Sequence, residues 1–194
     1  MLGFIALRLA RSESRRAALA NASVFLITLA MGVMAGGGLP YQLLLSAGLS
    51  TPSTTFTMIH PPFSDTSNVF IITMNSLMEW LLIPAALFCN WHIPKRRTLI
   101  VIAAAAFYAM RLWSYLYFVP NIFEFGALPP DGPFSAEVVE QFRISVNLSW
   151  LRFAIQDALT FLLFLLAAFV PASATATFRK PTGERAVERE AQSA

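Results

Sequence analysis

The sequence predicts an all-α fold, an integral membrane four-helix up-and-down bundle with both termini in the cytoplasm. The first observation is composition, because 56% of the 194 residues are hydrophobic and only 13% are charged, far from an average soluble domain. The second is that the apolar residues form four long runs, each close to the length that a helix needs to cross a bilayer. The third is that lysine and arginine collect beside alternate ends of these runs, which is typical of cytoplasmic segments.

The chain divides into a basic start, a membrane domain and a polar tail. Residues 1–20 place leucine and isoleucine on one helical face and arginine on another, which predicts an amphipathic helix in the cytoplasmic lipid interface. A mitochondrial-type presequence is the alternative. The membrane domain covers residues 21–171, and the tail at 172–194 is predicted to be disordered in the cytoplasm. The predicted spans are approximately residues 22–39, 69–92, 98–119 and 148–170.

Prolines and a capping residue set the predicted helix ends. A proline follows or stops each predicted span: Pro40, Pro94, Pro120 and Pro171. Ser135 is predicted to cap a helix that runs to Val170. A helix of that length measures about 54 Å, so its first three turns should project beyond the ~30 Å hydrocarbon core. Pro84 lies inside the second span, where it should kink the helix and free the carbonyl of Trp80.

Three ionisable residues lie inside the predicted spans, and they are the predicted catalytic residues. Glu79 lies about 2 Å from the middle of its span, and Arg111 and Asp157 lie about 4 Å from theirs, all toward the external side. An arginine at this depth costs ~2.5–3.5 kcal/mol on insertion scales, so we expect it to have an acidic partner. The three residues should therefore meet in one layer. That layer is either an ion-pair network that fixes helix register or a ligand site.

Polar and aromatic residues around this layer are the predicted substrate-binding residues, suited to a flat lipophilic molecule. They are Tyr108, Tyr115, Asn75, Arg152, Trp150 and Asn147. Arg152 lies about 11 Å from the middle of its span, and with it the charged set is formally neutral. An aromatic set of this kind is also typical of simple packing or of an interfacial belt.

Gly32 and Gly36 lie four residues apart in the first span. Small residues at this spacing let two helix backbones approach closely in lipid. The motif predicts internal packing, with the run at residues 103–106 as one candidate surface. The alternative is a homodimer that forms through Gly32 and Gly36.

Three features together resemble the anthrone-oxygenase-like family of small four-helix membrane proteins, many of unknown function. They are the glycine-rich run at 32–45, the sequence Tyr117-Phe-Val-Pro-Asn121, and the cluster of Asn147, Trp150 and Arg152. The resemblance implies a four-helix bundle and cofactor-free oxygenation of a polycyclic phenolic substrate. The chain departs from the family after Pro120, where a leucine is expected before the asparagine.

Several classes of function are disfavoured by the sequence. It contains no glycine-rich phosphate loop, no nucleophile–His–Asp set, no metal-ligand cluster and no cofactor fingerprint, so neither a cofactor nor a metal is expected. The net charge of +3 is explained by membrane orientation, and no nucleic-acid partner is expected. The expected partners are membrane lipids and a lipophilic small molecule, and the expected location is a cell membrane, such as a bacterial inner membrane.

Three functions remain open from the sequence. As an enzyme, the protein would use Asp157 or Glu79 as a base and Arg111 to stabilise an oxyanion. As a small-molecule or proton-coupled transporter, it would use the same carboxylates to carry protons. As an accessory subunit of a membrane complex, it would meet a partner through the projecting helix at residues 135–147.

Overall fold

The computed structural model describes residues 2–49, 59–61, 63–129 and 132–172. Within these ranges the chain forms four long helices and no strand. They are α1 (Leu2–Gly48), α2 (63–90), α3 (Pro94–Gly126) and α4 (Ala136–Phe169). All four are long and apolar enough to cross a membrane. The side chains of the first twelve residues and all of the predicted tail beyond residue 172 lie outside the described residues.

Two of the predicted helix ends are wrong, because α1 and α3 continue through their prolines. Pro40 lies inside α1, and Pro120 lies inside α3, which ends at Gly126. A proline in a helix interior costs ~3 kcal/mol. Packing offsets that cost here, since Leu45 and Phe125, which follow the two prolines, are buried in one hydrophobic cluster.

The other helix ends agree with the prolines and the cap. Pro94 lies at the start of α3, and Pro171 follows the end of α4. Ser135 caps α4 as predicted, with its hydroxyl accepting a hydrogen bond from the Val138 N–H at 3.3 Å. Proline is tolerated in the first helical turn because the N–H it lacks would have no partner there.

Each of α2, α3 and α4 contains one π turn, a stretch in which backbone hydrogen bonds reach back five residues. These turns are Met78–Leu82 in α2, Ser114–Phe118 in α3 and Ala154–Leu159 in α4. The N–H of Ile83 donates to the carbonyl of Met78, so the next residue, Pro84, leaves the carbonyl of Glu79 without a backbone donor. The carbonyl that Pro84 leaves without its π-turn donor is thus that of Glu79, one residue before the predicted Trp80, because the wider turn shifts the register by one residue.

Buried side chains form two separate hydrophobic clusters. The main core joins all four helices with residues that include Ile27, Met78, Phe107 and Phe164. The second cluster, which we call the upper cluster, joins the ends of α1 and α3 to the first turns of α4 through Leu45, Phe125, Phe142 and Val146. The first turns of α4 therefore pack against the extended ends of α1 and α3. Polar and charged side chains lie between the two clusters.

The glycines of α1 differ in what they face. A Cβ added at Gly32 would lie 3.4 Å from the Phe161 ring of α4, so Gly32 serves packing within the chain, though not against residues 103–106. A Cβ added at Gly36 would meet no atom within 4 Å. Of the two glycines in the predicted dimer seam, Gly36 is the one whose surface is open, and the dimer stays a prediction.

Candidate functional site

Arg111 and Glu79 form an ion pair between α3 and α2, in which Arg111 Nε donates to Glu79 Oε1. Both side chains are largely buried, with 12% and 9% of their surfaces exposed. The predicted meeting of Arg111 with an acidic residue is therefore present in the fold. Arg111 Nη2 also donates to the Tyr115 hydroxyl at 2.7 Å, one helical turn further along α3.

Two tyrosines complete the surroundings of Glu79. The Tyr115 hydroxyl lies 3.5 Å and 3.4 Å from its two carboxylate oxygens. The Tyr108 hydroxyl donates at 2.6 Å to the Glu79 carbonyl, the group left free by the π turn and Pro84. Tyr108 and Tyr115 thus provide hydrogen-bond partners for the backbone carbonyl and the carboxylate of Glu79. Together with Arg111, these residues form one hydrogen-bonded network.

Asp157 does not join that network. Among the described residues it forms no ion pair, and its Oδ1 is buried without a hydrogen-bond partner. Arg111 is nevertheless close enough to act electrostatically on the Asp157 charge, and the prediction that Glu79, Arg111 and Asp157 share one site stays a prediction. Depth along a helix can be read from the sequence, whereas the direction in which a side chain points depends on helix rotation. Each of the three residues lies beside or within a π turn, which changes that rotation.

Asp157 instead lines a cavity of about 120 Å³ between α1, α2 and α4. Arg152, Gln156 and Asp157 of α4 contribute its polar and charged side chains from one helix. The remaining walls are mostly apolar, formed by Met34, Gly37, Gly38, Phe70, Ile71 and Phe153, with Tyr41, Gln42, Ser67 and Asn75 adding polar groups. An engineered apolar cavity of 150 Å³ binds benzene, so this cavity has room for a head group and a few carbon atoms.

Three of the lining residues on α4 carry hydrogen-bonding atoms that lack partners in the part of the chain that the structure describes. These atoms are Arg152 Nε, Gln156 Oε1 and Asp157 Oδ1, and only 1% of Gln156 and 7% of Asp157 are exposed. Roughly nine in ten buried polar groups in proteins are paired, and an unpaired one costs about 1–3 kcal/mol. The three atoms belong to residues that line the same cavity, so a molecule bound there needs only small side-chain rotations to reach them. A fourth, Nδ2 of Asn121, lies on α3.

Local sequence explains how α4 presents these residues. The π turn at Ala154–Leu159 contains both Gln156 and Asp157, and π turns are frequent at functional sites. A Cβ at Gly38 would lie 3.2 Å from the Phe153 ring and 3.7 Å from Asp157 Oδ2, so the glycine lets α1 approach the carboxylate closely. The Arg152 guanidinium lies over the Phe118 ring, 5.1 Å from its centre, which is a favourable position for a cation.

The predicted substrate-binding residues separate into three groups. Asn75 and Arg152 line the cavity, and Asn75 Oδ1 accepts a weak hydrogen bond from Gln156 Nε2 at 3.4 Å. Tyr108 and Tyr115 belong to the Glu79 network. The remaining two do not line the cavity, since Trp150 Nε1 donates to Ser46 Oγ at 2.7 Å and Asn147 is exposed on α4.

Arg96 shows what the sequence-based interpretation missed. It lies in the first turn of α3 between two other basic residues, yet only 2% of its surface is exposed. Its guanidinium donates to the Asn90 side chain at 3.0 Å, to the Asn21 side chain at 2.8 Å and, through Nε, to the Val170 carbonyl at 2.8 Å. Asn90 in turn donates to Ser23 Oγ at 3.0 Å. Asparagines at the ends of two apolar runs were the signal that could have revealed this network.

Neither a search for metal ligands nor comparisons with known proteins give further information about the site. Throughout the described ranges, no group of three histidine, cysteine or acidic residues could hold a metal ion. No protein-family model, curated protein or solved structure matches the chain. The resemblance to the anthrone-oxygenase-like family therefore depends on the short sequence motifs alone.

Proposed function

We propose that this chain is a multi-pass membrane protein that binds a small lipophilic molecule in the cavity at Arg152, Gln156 and Asp157. The observation that supports the proposal is the set of buried, unpaired atoms on residues that line an otherwise mostly apolar cavity. Ligand sites in proteins have this character, with apolar walls and a few polar groups that fix orientation.

The membrane part of the proposal has separate support. Four helices have the length and hydropathy of membrane spans, and their outer faces carry exposed large apolar side chains such as Phe25, Trp80 and Phe88. The distribution of lysine and arginine favours cytoplasmic termini. We place the protein in a cell membrane, such as a bacterial inner membrane, with the cavity in the external half.

The unpaired atoms define the ligand's polar group. Gln156 Oε1 and Asp157 Oδ1 accept hydrogen bonds, whereas Arg152 Nε donates one. A hydroxyl group fits this set because it donates and accepts at once. Because Arg152 and Asp157 carry opposite charges, their attraction and repulsion of an ionic ligand largely cancel, and the cavity has no net charge that would favour an anion or a cation over a neutral ligand.

A reaction is consistent with the same arrangement. If the ligand is a phenol, as the family resemblance implies, Asp157 is the residue placed to accept its proton, and Arg152 takes the role of oxyanion stabiliser that the sequence suggested for Arg111. Arg111 is already paired with Glu79. The cavity of about 120 Å³ fits one ring and not a polycyclic molecule, so a polycyclic substrate would require the helices to move apart.

The test uses fluorine NMR on the protein in lipid nanodiscs, with 4-fluorophenol as the ligand and fluorobenzene as the matched compound without a hydroxyl. We expect saturable binding of 4-fluorophenol that exceeds fluorobenzene binding. Asp157→Leu and Gln156→Met should weaken it about 10- to 100-fold, because a hydrogen bond to a buried or charged group contributes about 1–3 kcal/mol.

Asn147→Ala is the control variant, since Asn147 is exposed on the same helix and does not line the cavity. It should bind 4-fluorophenol as the wild type does. Equal binding of both fluorinated compounds, or equal binding by the wild type and the Asp157→Leu variant, would contradict the proposed site.

A further inference from the structure

The cavity reaches the side of the helix bundle. Gly37 of α1 and Phe70 of α2 both line it, and both are exposed, Phe70 to 39%. A Cβ added at Gly37 would lie 3.3 Å from the Phe70 ring, so the two residues lie against each other where α1 and α2 pass, and the Phe70 side chain must turn aside to admit a molecule here. We call this place on the side of the bundle, formed by Gly37 and Phe70, the portal.

The cavity is covered toward both ends of the bundle. Above it, the buried Ser149 hydroxyl donates to Gln42 Oε1 at 2.6 Å and ties α4 to α1. Below it, Met31 and Met78 of the main core are fully buried. A molecule that reaches Asp157 therefore has its shortest path through the portal, which faces the lipid in the proposed orientation.

An apolar track leads from the portal along α1. Leu29 and Val33 are exposed and lie eight and four residues before Gly37, which places them on the same helical face. The track covers about 12 Å of helix. In the proposed orientation it runs from the external half toward the bilayer middle, which is the direction of an acyl chain in the outer leaflet.

We infer that the natural ligand is a neutral, hydroxyl-headed amphiphile of the outer leaflet, which enters through the portal and keeps its chain on the track. This inference rests on the proposed function. The cavity holds the head and a few carbon atoms, and a longer chain must leave through the portal. The opposite charges of Arg152 and Asp157 leave no net charge that would favour a phosphate or an ammonium head.

The test uses photo-crosslinking in nanodiscs with decanol that carries a diazirine near the end of its chain. Decyl phosphate and decyltrimethylammonium with the same diazirine are the matched probes. We expect saturable labelling of α1 and α2 near the portal by the decanol probe, with at least 10-fold weaker labelling by the two charged probes. Unlabelled decanol should also displace 4-fluorophenol.

Gly37→Phe and Gly36→Phe form a matched pair of variants, because an added side chain meets Phe70 at the first position and nothing within 4 Å at the second. Gly37→Phe should lower saturable decanol labelling at least 10-fold, while Gly36→Phe leaves it unchanged. Val33→Gln lies outside the cavity, so it should weaken decanol binding about 3- to 10-fold without changing 4-fluorophenol binding. If Gly37→Phe does not fold, the Val33→Gln variant still tests whether the decanol chain lies on the track.

The possible failures are distinguishable. If 4-fluorophenol binds at Asp157 but decanol neither labels the portal nor displaces it, the ligand is not an amphiphile and only this inference is wrong. If the decyl phosphate probe labels as strongly as decanol, the assignment of a neutral head is wrong. If neither decanol nor 4-fluorophenol binds, the proposed function is wrong as well.

Discussion

Arg96 and Arg152 are both arginines inside the helix bundle, but their surroundings differ. Arg96 donates to Asn21, Asn90 and Val170, one partner on each of α1 and α2 and one at the end of α4. Arg152 lines a cavity, and its Nε has no partner. The Arg96 network joins the four helices at one end of the bundle, whereas the Arg152 site leaves room between three of them.

The difference separates a structural role from a binding role for the same side chain. A satisfied buried network rigidifies a fold, and a partly satisfied one costs free energy unless something completes it. Arg96 also lies at the carboxyl end of α4, where a cation is stabilised by the helix dipole. We therefore expect substitutions at Arg96 to act on stability and substitutions around Arg152 to act mainly on binding.

The largest expected effect is at the Arg96 network. Arg96→Met should lower the free energy of unfolding by about 2–4 kcal/mol, since it removes several interhelical contacts worth ~0.6 kcal/mol each and leaves buried acceptors costing about 1–3 kcal/mol each. Unfolding in mixed detergent micelles measures the loss. Arg97→Met is the control, because the Arg97 side chain has only surface contacts with Trp91, to its carbonyl at 3.4 Å and over its ring at 5.2 Å, and its replacement should cost under about 1 kcal/mol. Equal losses at both positions would contradict the structural role of Arg96.

The Arg111–Glu79 pair should give the next largest effect. Glu79→Leu should lower the free energy of unfolding by about 1–3 kcal/mol, because it leaves the guanidinium of Arg111 with Tyr115 alone. The double variant Glu79→Leu/Arg111→Met should recover most of the loss, since no uncompensated charge remains. A double-mutant cycle measures the coupling, and additive losses would argue against a direct interaction.

At the cavity the expected change in stability is small. Gln156→Met should change the free energy of unfolding by less than about 1 kcal/mol, because it removes the unpaired Gln156 Oε1 but leaves the buried Asn75 Oδ1 without its weak hydrogen bond. The same substitution should weaken 4-fluorophenol binding. Ser149→Ala is the matched control, because the buried Ser149 hydroxyl shares its one hydrogen between Gln42 Oε1 and the Val146 carbonyl, and its loss should destabilise the protein. A Gln156→Met variant destabilised by more than about 1 kcal/mol would mean that Gln156 is structural.

The smallest expected effect compares two glycines of α1. Gly36→Ala should stabilise the protein by up to about 1 kcal/mol, because alanine favours the helix and nothing lies near its Cβ. Gly38→Ala should show no such gain, since its Cβ would lie 3.2 Å from the Phe153 ring. Thermal unfolding in nanodiscs measures both. Loss of a dimer in Gly36→Ala, seen by crosslinking, would instead support a dimer seam at Gly36.

The helices and the Arg111–Glu79 contact were predictable because both depend on simple quantities along the chain. Apolar length predicts a span, and an arginine at membrane depth predicts a nearby acid. The cap at Ser135 was predictable from residue type. The passage of helices through Pro40 and Pro120 was not, because it depends on the upper cluster, which brings together residues 80 and more positions apart.

The division of the charged layer was also beyond the sequence. Asp157 has the predicted depth, yet it lies at a cavity with Arg152 and Gln156, while Arg111 pairs with Glu79. Which way each side chain faces depends on the π turns, and hydropathy does not reveal them. Pro84 indicated correctly that a carbonyl would lack a backbone donor. The carbonyl that the wider turn leaves for Tyr108 is that of Glu79, one residue before the predicted Trp80.

The three π turns have a further consequence for how this chain tolerates insertion and deletion. A π turn is equivalent to one residue added to an α-helix, and one residue corresponds to a rotation of about 100° around the helix axis. Because the wider π turn already absorbs that extra residue, deleting one residue from Ala154–Leu159 would restore a regular α4 and leave Arg152 at nearly its present azimuth relative to Phe164. A deletion elsewhere in α4 would rotate one half by about 100° against the other, so single-residue deletions should be tolerated best within the π turns.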